Sequence, residues 1–86
     1  MQLNPTEVKP SITRLKRAQG QLAAVIRMLE EGEDCEAIVT QLAAVSKAID
    51  RAGYTIIATG MRQCFTEGGT EGFDAAKMEK LFLSLS

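Results

Sequence analysis

The chain reads as an all-α protein of three helices, and three observations predict it. No proline interrupts the run from Asp34 to Cys64, which reads as one continuous helix. From Val8 to Leu29 apolar residues recur at heptad spacing. The composition is rich in Ala, Leu, Ile, Glu and Lys, with 2 prolines, no Trp and 1 Tyr, a balance that favours helices. Its 86 residues make one domain, 1–86, near the size at which a single core is only marginally stable. Oligomerisation is then a natural source of further burial.

The first helix has two candidate starts. Asn4-Pro5-Thr6-Glu7 carries an N-cap, a first-turn proline and a glutamate at the third position. Pro10 disfavours one helix through both, because a later proline removes a hydrogen bond and clashes with the preceding turn. The preferred expectation is a short turn followed by a main helix from near Ser11. Along it Val8, Leu15, Leu22 and Leu29 take one core position of the heptad, and Ile12, Gln19 and Ile26 the other, with Gln19 as the polar exception. Gly32 is a natural residue to end the helix.

Gly32-Glu33-Asp34 is a tight connection, so the first two helices should form an antiparallel hairpin with Asp34 as the second N-cap. The second helix has the chain's 2 cysteines, Cys35 and Cys64, at its ends. At about 100° per residue both sulfurs fall on one face, and at about 1.5 Å rise they stand roughly 44 Å apart. A disulfide needs Cα atoms within about 7 Å. Within one unbroken helix the thiols cannot bond. A second copy packed antiparallel would bring Cys35 of one subunit near Cys64 of the other. Ile38, Val39, Leu42, Ser46, Ile49, Gly53, Ile56, Ile57 and Gly60 share that face, and the two glycines suggest close approach of another helix or room between the thiols. Glu36, Thr40, Lys47, Arg51, Thr55 and Arg62 occupy the opposite face. A plain amphipathic core helix with two buried, inert cysteines is the competing interpretation. The first turn favours a Cys35 thiolate through the helix dipole, whereas Glu33, Asp34 and Glu36 oppose it.

A glycine-rich loop, Phe65 to Gly72, should follow, then a short third helix from about Phe73 or Asp74 to Leu83. Ala76, Leu81 and Phe73 would face the bundle. No run is long and apolar enough for a membrane span and no export signal is evident. Two cysteines in that setting fit a reducing cytoplasm.

Net charge is −1, but its distribution is uneven. Lys9, Arg14, Lys16, Arg17 and Arg27 lie between Val8 and Leu29 without an acidic residue among them. Such a patch can steer polyanions, although many charge clusters are only solvated helix faces. Histidine is absent, which removes Ser-His and Cys-His pairs and the imidazole ligands of zinc, nickel and copper(II). No phosphate loop or carboxylate pair stands out. The sequence points to no enzyme, catalytic residue or cofactor. The thiols remain: across a dimer interface they could hold a soft ion such as Cu(I), or react with oxidants or sulfane sulfur.

The run Arg14-Leu15-Lys16-Arg17-Ala18-Gln19-Gly20-Gln21-Leu22, then Arg27-Met28-Leu29-Glu30, Cys35, Gln41-Leu42-Ala43-Ala44-Val45 and Cys64 resembles the CsoR/RcnR family of bacterial repressors. The similarity extends from about residue 8 to 82, with several motifs in register. It implies a three-helix protomer that forms an antiparallel four-helix-bundle dimer, usually assembled as a dimer-of-dimers tetramer. It also implies binding to double-stranded operator DNA without a helix-turn-helix, weakened by an inducer.

Departures within the resemblance narrow the inducer. Copper-sensing members use the Cys35 position, a His four residues before the second Cys, and that Cys; here the His position is Gly60. A Tyr near their metal corresponds to Asp34, and an acidic residue of the third helix to Lys80. Nickel/cobalt and formaldehyde sensors differ at the Cys64 position. Two cysteines without histidine are most similar to the CstR branch, in which a persulfide or polysulfide links Cys35 to Cys64 of the neighbouring subunit. No metal site is then expected. Arg14 and Arg51 match family residues needed for operator binding, and Lys9, Lys16 and Arg17 would add phosphate contacts. The alternatives are a Cu(I)-responsive or general thiol-oxidation repressor of the same fold, or a non-regulatory sulfur-carrier bundle.

Overall fold

The computed structural model describes residues 2–66 and 75–86, apart from the side chains of residues 64–66 and 75. Those residues form three α-helices and no strand: α1 (Lys9–Glu30), α2 (Cys35–Thr66) and α3 (Ala75–Ser84). The fold is all-α, as the periodicity predicts. No helix among the described residues is long and apolar enough to cross a membrane.

The chain enters through a turn. Asn4 organises it: its side-chain oxygen accepts the Thr6 N–H at 3.0 Å, and its carbonyl accepts those of Glu7 and Val8. Helix α1 then begins at Lys9, two residues before the expected start. Pro10 is tolerated because it falls in the first turn, where its missing N–H would have had no partner in the helix. At the other end Gly32 has φ +67°, and the Glu33 N–H reaches the Met28 carbonyl at 3.0 Å while the Gly32 N–H reaches that of Leu29 at 3.2 Å. This left-handed reversal closes two orphan carbonyls and turns the chain back on itself. Asp34 caps α2, its carboxylate accepting the Ala37 N–H at 3.2 Å.

Helices α1 and α2 run antiparallel, with Arg14 beside Thr55. The buried residues of α1 are Ser11, Ala18 and Val25; those of α2 include Val45, Ala52 and Thr59. Each set is spaced by seven. The antiparallel register puts Ser11 level with Thr59, Ala18 with Ala52, and Val25 with Val45. Small side chains at these levels let two helices approach closely. The seam therefore does not use the predicted heptad. Ile12, Leu15, Leu22, Ile26 and Leu29 are exposed within the chain, Leu29 at 60%. They lie about a quarter-turn around α1 from the seam, because Ser11, Ala18 and Val25 compete successfully for the intramolecular contact.

Helix α2 is continuous through both cysteine positions and ends two residues beyond Cys64, so the expected loop starts later. The rest of the glycine-rich stretch, with Phe73 and Asp74, lies outside the described residues. Helix α3 meets α2 through Phe82, whose ring lies 4.9 Å from that of Tyr54, and through Leu85 just beyond its end. Leu85 fills the notch left by Gly53, where an added Cβ would stand 2.7 Å from a Leu85 methyl. Ala76 and Leu81 are exposed within the chain, contrary to expectation; Phe82 is exposed to a similar extent but is the residue whose ring meets α2.

The molecule measures 53 × 25 × 13 Å. Its thinnest dimension is little more than one helix diameter of about 10–12 Å. The hairpin is thus a slab with two broad faces. Replacing Gly32 by Ala should lower stability by about 1 kcal/mol, because alanine pays the left-handed penalty that glycine avoids. Urea midpoints at one fixed protein concentration test this; an unchanged midpoint would show that the Gly32 conformation does not constrain the hairpin.

Candidate nucleic-acid interface and thiol sites

The two faces of the slab differ in chemistry. On one side of the seam, α1 and α2 flank a groove of about 490 Å³ lined by Arg14, Arg17, Gln21, Ala44, Lys47, Ala48 and Arg51. Helical spacing explains the gathering. Arg14 and Arg17 are three residues apart, and Lys47 and Arg51 four, so each pair stacks on one flank of its helix. The antiparallel hairpin then sets the pairs opposite one another. Ala44 and Ala48 between them keep the floor open. The groove lining contains four cationic side chains and no carboxylate. Their mutual repulsion makes the groove favourable for a polyanion that neutralises several charges together.

Two features define the groove further. Arg14 Nη1 donates to Thr55 Oγ1 at 3.3 Å, across the hairpin, while Thr55 Oγ1 donates to the Arg51 carbonyl at 2.8 Å. Gln21 Oε1 is buried without a hydrogen-bond partner.

Of the five cations expected to contact DNA, Arg14, Arg17 and Arg51 share this groove. Lys9 and Lys16 do not. They line a separate depression of about 390 Å³ with Pro5, Thr6, Ile12 and Thr13. Lys47 was not among the expected contacts. Its signal was its place one turn before Arg51 on the same polar face. Thr55 was missed for a different reason: its role depends on a neighbour 41 positions away in the chain.

The other face of the slab is apolar and exposed. Leu15, Leu22 and Ile26 of α1 and Val39, Leu42 and Ile49 of α2 all lie open. Cys35 is exposed at the first position of α2, on the same side of that helix as Leu42 and Ile49. Burial within one chain is therefore not its role. The backbone of Cys64 belongs to the last turn of α2; its side chain lies outside the described residues. With the helix unbroken, the two positions stand roughly 44 Å apart along the axis, far beyond the reach of a disulfide within the chain.

The donor set fits an imidazole-bound metal poorly. The chain has no histidine, and no group of three or more Cys, Asp and Glu among the described residues could hold an ion.

Comparison with known proteins adds the following. The model of the metal-sensitive transcriptional repressor family matches residues 7–84. An uncharacterized protein of Bacillus subtilis, YrkD, is 43% identical over 53 residues, 62% of this chain and 84% of that protein. The copper-sensing transcriptional repressor CsoR of Mycobacterium ulcerans is 32% identical over 73 residues, 85% of this chain and 62% of the relative. The copper-sensing transcriptional repressor RicR of Mycobacterium tuberculosis is 32% identical over 59 residues, 69% of this chain and 62% of the relative. The similarity thus spans under two thirds of the length of these mycobacterial repressors. No solved structure matches.

Exposure at α2's first turn makes Cys35 open to alkylation in the folded protein. Iodoacetamide added to reduced native protein should modify Cys35 without denaturant, as peptide mass mapping would show; protection until unfolding would restore the buried, inert interpretation.

Proposed function

The chain belongs to the metal-sensitive transcriptional repressors, and from that premise we propose that it binds operator DNA when reduced and is released when reactive sulfur species join Cys35 to Cys64 of a neighbouring subunit. The observation that carries the DNA reading is the groove of Arg14, Arg17, Lys47 and Arg51. Guanidinium and ammonium groups in one cleft suit the phosphate backbone, and Arg14 and Arg51 are the strongest assignments by position. Lys9 and Lys16, in their separate depression, would contact flanking phosphates.

The partner for the apolar face is a second copy. Stacking two slabs through these faces, with the α2 helices antiparallel, buries Leu15, Leu22, Ile26, Val39, Leu42 and Ile49 in one four-helix bundle. If Cys35 meets Cys64 of the partner subunit, the two-fold axis passes between Ile49 and Asp50, midway between the thiols. The hairpin register then carries the axis across α1 near Gly20 and Gln21. The exposed stripe of α1, from Leu15 to Ile26, is centred near that axis and Ile49 of α2 stands at it, which favours the arrangement. Leu81 and Leu83, exposed on α3, supply apolar surface through which two dimers form a tetramer. On this reading the protein acts in the cytoplasm as a regulator, and no enzyme activity is assigned to it.

The inducer chemistry uses only thiols. A Cys35 thiolate takes the sulfane sulfur of an organic persulfide and releases the organic thiol. Attack on that Cys35 persulfide by Cys64 of the partner subunit closes a disulfide and releases hydrogen sulfide. If both cysteines are persulfidated, the bridge retains one additional sulfur and again releases hydrogen sulfide. Absence of histidine and glycine at position 60 support this reading over a three-ligand copper site. The second reading, Cu(I) held by two thiolates across the interface, draws on the copper-sensing relatives.

Intact-mass spectrometry and DNA binding, read in parallel on reduced protein, separate the two. Glutathione persulfide should produce a covalent dimer and release DNA, and Cys35→Ser or Cys64→Ser should abolish both effects. Release by Cu(I) alone would establish the second reading, and inert thiols would defeat both. Arg14→Ala, Lys47→Ala and Arg51→Ala should each weaken operator binding roughly tenfold without loss of helix content. Each should also reduce the magnitude of the log–log salt slope by about 0.9 for every subunit in contact with the DNA, the value for one phosphate contact. Unaltered slopes would place DNA elsewhere.

A further inference from the structure

We propose that Thr55 is a positioning residue for DNA binding: it holds the Arg14 guanidinium across the hairpin, one helical turn from Arg51, so that Arg14 meets the DNA backbone from a fixed position. This rests on the DNA reading of the cationic groove.

A threonine hydroxyl has one proton to give and two lone pairs to offer. Thr55 gives its proton to the Arg51 carbonyl one turn earlier, at 2.8 Å. Its oxygen is then an oriented acceptor, and Arg14 Nη1 donates to it from α1 at 3.3 Å. Arginine has no acceptor capacity, so the direction of this bond is not ambiguous. The result is a three-member relay from the Arg14 side chain through the Thr55 hydroxyl to the Arg51 backbone.

The relay has a clear use. An exposed arginine samples many rotamers and must give up that freedom when it grips a phosphate. Tethering one of its nitrogens beforehand lowers the loss on binding. Four other guanidinium N–H donors remain available for phosphate oxygens. Threonine suits the position because a β-branched side chain within a helix has few rotamers, and back-bonding to the carbonyl one turn earlier selects among them.

The relay further ties DNA affinity to the relative setting of the two helices. Arg14 rides on α1, whereas its acceptor rides on α2. A small rotation or slide of α2 would withdraw the acceptor and free the arginine without moving it out of the groove. Thr55 thus acts through Arg14, and its substitution should change binding without changing the charge of the interface.

The test uses a fluorescein-labelled duplex selected from a random-sequence pool by the reduced wild-type protein. Thr55→Val keeps the shape and removes the acceptor; it should weaken binding about five- to tenfold, with the circular dichroism spectrum and Tm unchanged. Thr55→Ser keeps the hydroxyl and should restore affinity to within about twofold of wild type. In an Arg14→Ala background Thr55→Val should cause no further loss, since the two act as one unit. Thr55→Ala provides a second acceptor-free variant if the valine protein does not fold. Wild-type affinity in Thr55→Val, alongside loss in Arg14→Ala, would overturn the proposal and leave the DNA reading standing. Equal weakening by serine and valine would assign the effect to packing of the methyl group and also overturn it. If Arg14→Ala and Arg51→Ala both bind like wild type, the groove is not the DNA site and the proposal falls with that reading.

Discussion

The close approach of α1 and α2 through small residues sets the rest of the architecture. Ser11 and Ala18 on one helix, Ala52 and Thr59 on the other, fill the seam without needing large side chains. The larger apolar residues are consequently left outside it. Two helices enclose no interior, so a slab 13 Å thick must find its hydrophobic burial elsewhere. The same geometry that exposes Leu22, Ile26 and Leu42 on one face leaves Arg14, Arg17, Lys47 and Arg51 on the other. Polarity is thereby sorted by which side of the seam a residue occupies.

Much of this was legible in the sequence, with a systematic bias. The helical class, the Gly32 reversal, the Asp34 cap and the uninterrupted course of α2 each depend on local chemistry, and each is found in the structure. The misassignments concern which helix face meets which neighbour. Heptad periodicity identified Leu15, Leu22 and Leu29 as residues seeking burial, but periodicity alone does not say whether the burial is within a chain or between chains. Ser11 and Ala18 gave a weak signal because small residues contribute little to hydrophobic patterning, although they determine how closely helices approach. In α3 an offset of one position separated Leu81 from the true contact residue, Phe82; short helices offer too few turns to fix a face. The cationic site was legible as charge and position on Arg14, Arg17 and Arg51. Its division from Lys9 and Lys16 required the antiparallel register, which places only one flank of α1 against α2.

Helix α2 links the thiol and DNA readings. Cys35, Leu42 and Ile49 face the apolar side; Lys47 and Arg51 face the groove; Thr55 stands at the seam between them. On the proposed reading, an event on the thiol side would reach the groove as a rigid displacement of one continuous helix, without passing along a chain of intermediary side chains. Coupling of about 1–3 kcal/mol, typical of regulatory proteins, requires only that one setting of α2 against α1 suit DNA better than another. Leu85 on Gly53 and Phe82 on Tyr54 dock α3 onto the same helix.

The opposed faces of α2 also bear on how such proteins diversify. Positions 35, 60 and 64 share one side of the helix, and the groove cations share the other, so the two sets have a backbone in common but no side-chain contacts to preserve together. Substituting a ligand on the first side leaves the second chemically untouched. On the proposed reading, a change of ligand on the first side would alter the signal and retain the DNA contacts, and the lack of histidine leaves sulfur as the soft donor on that side.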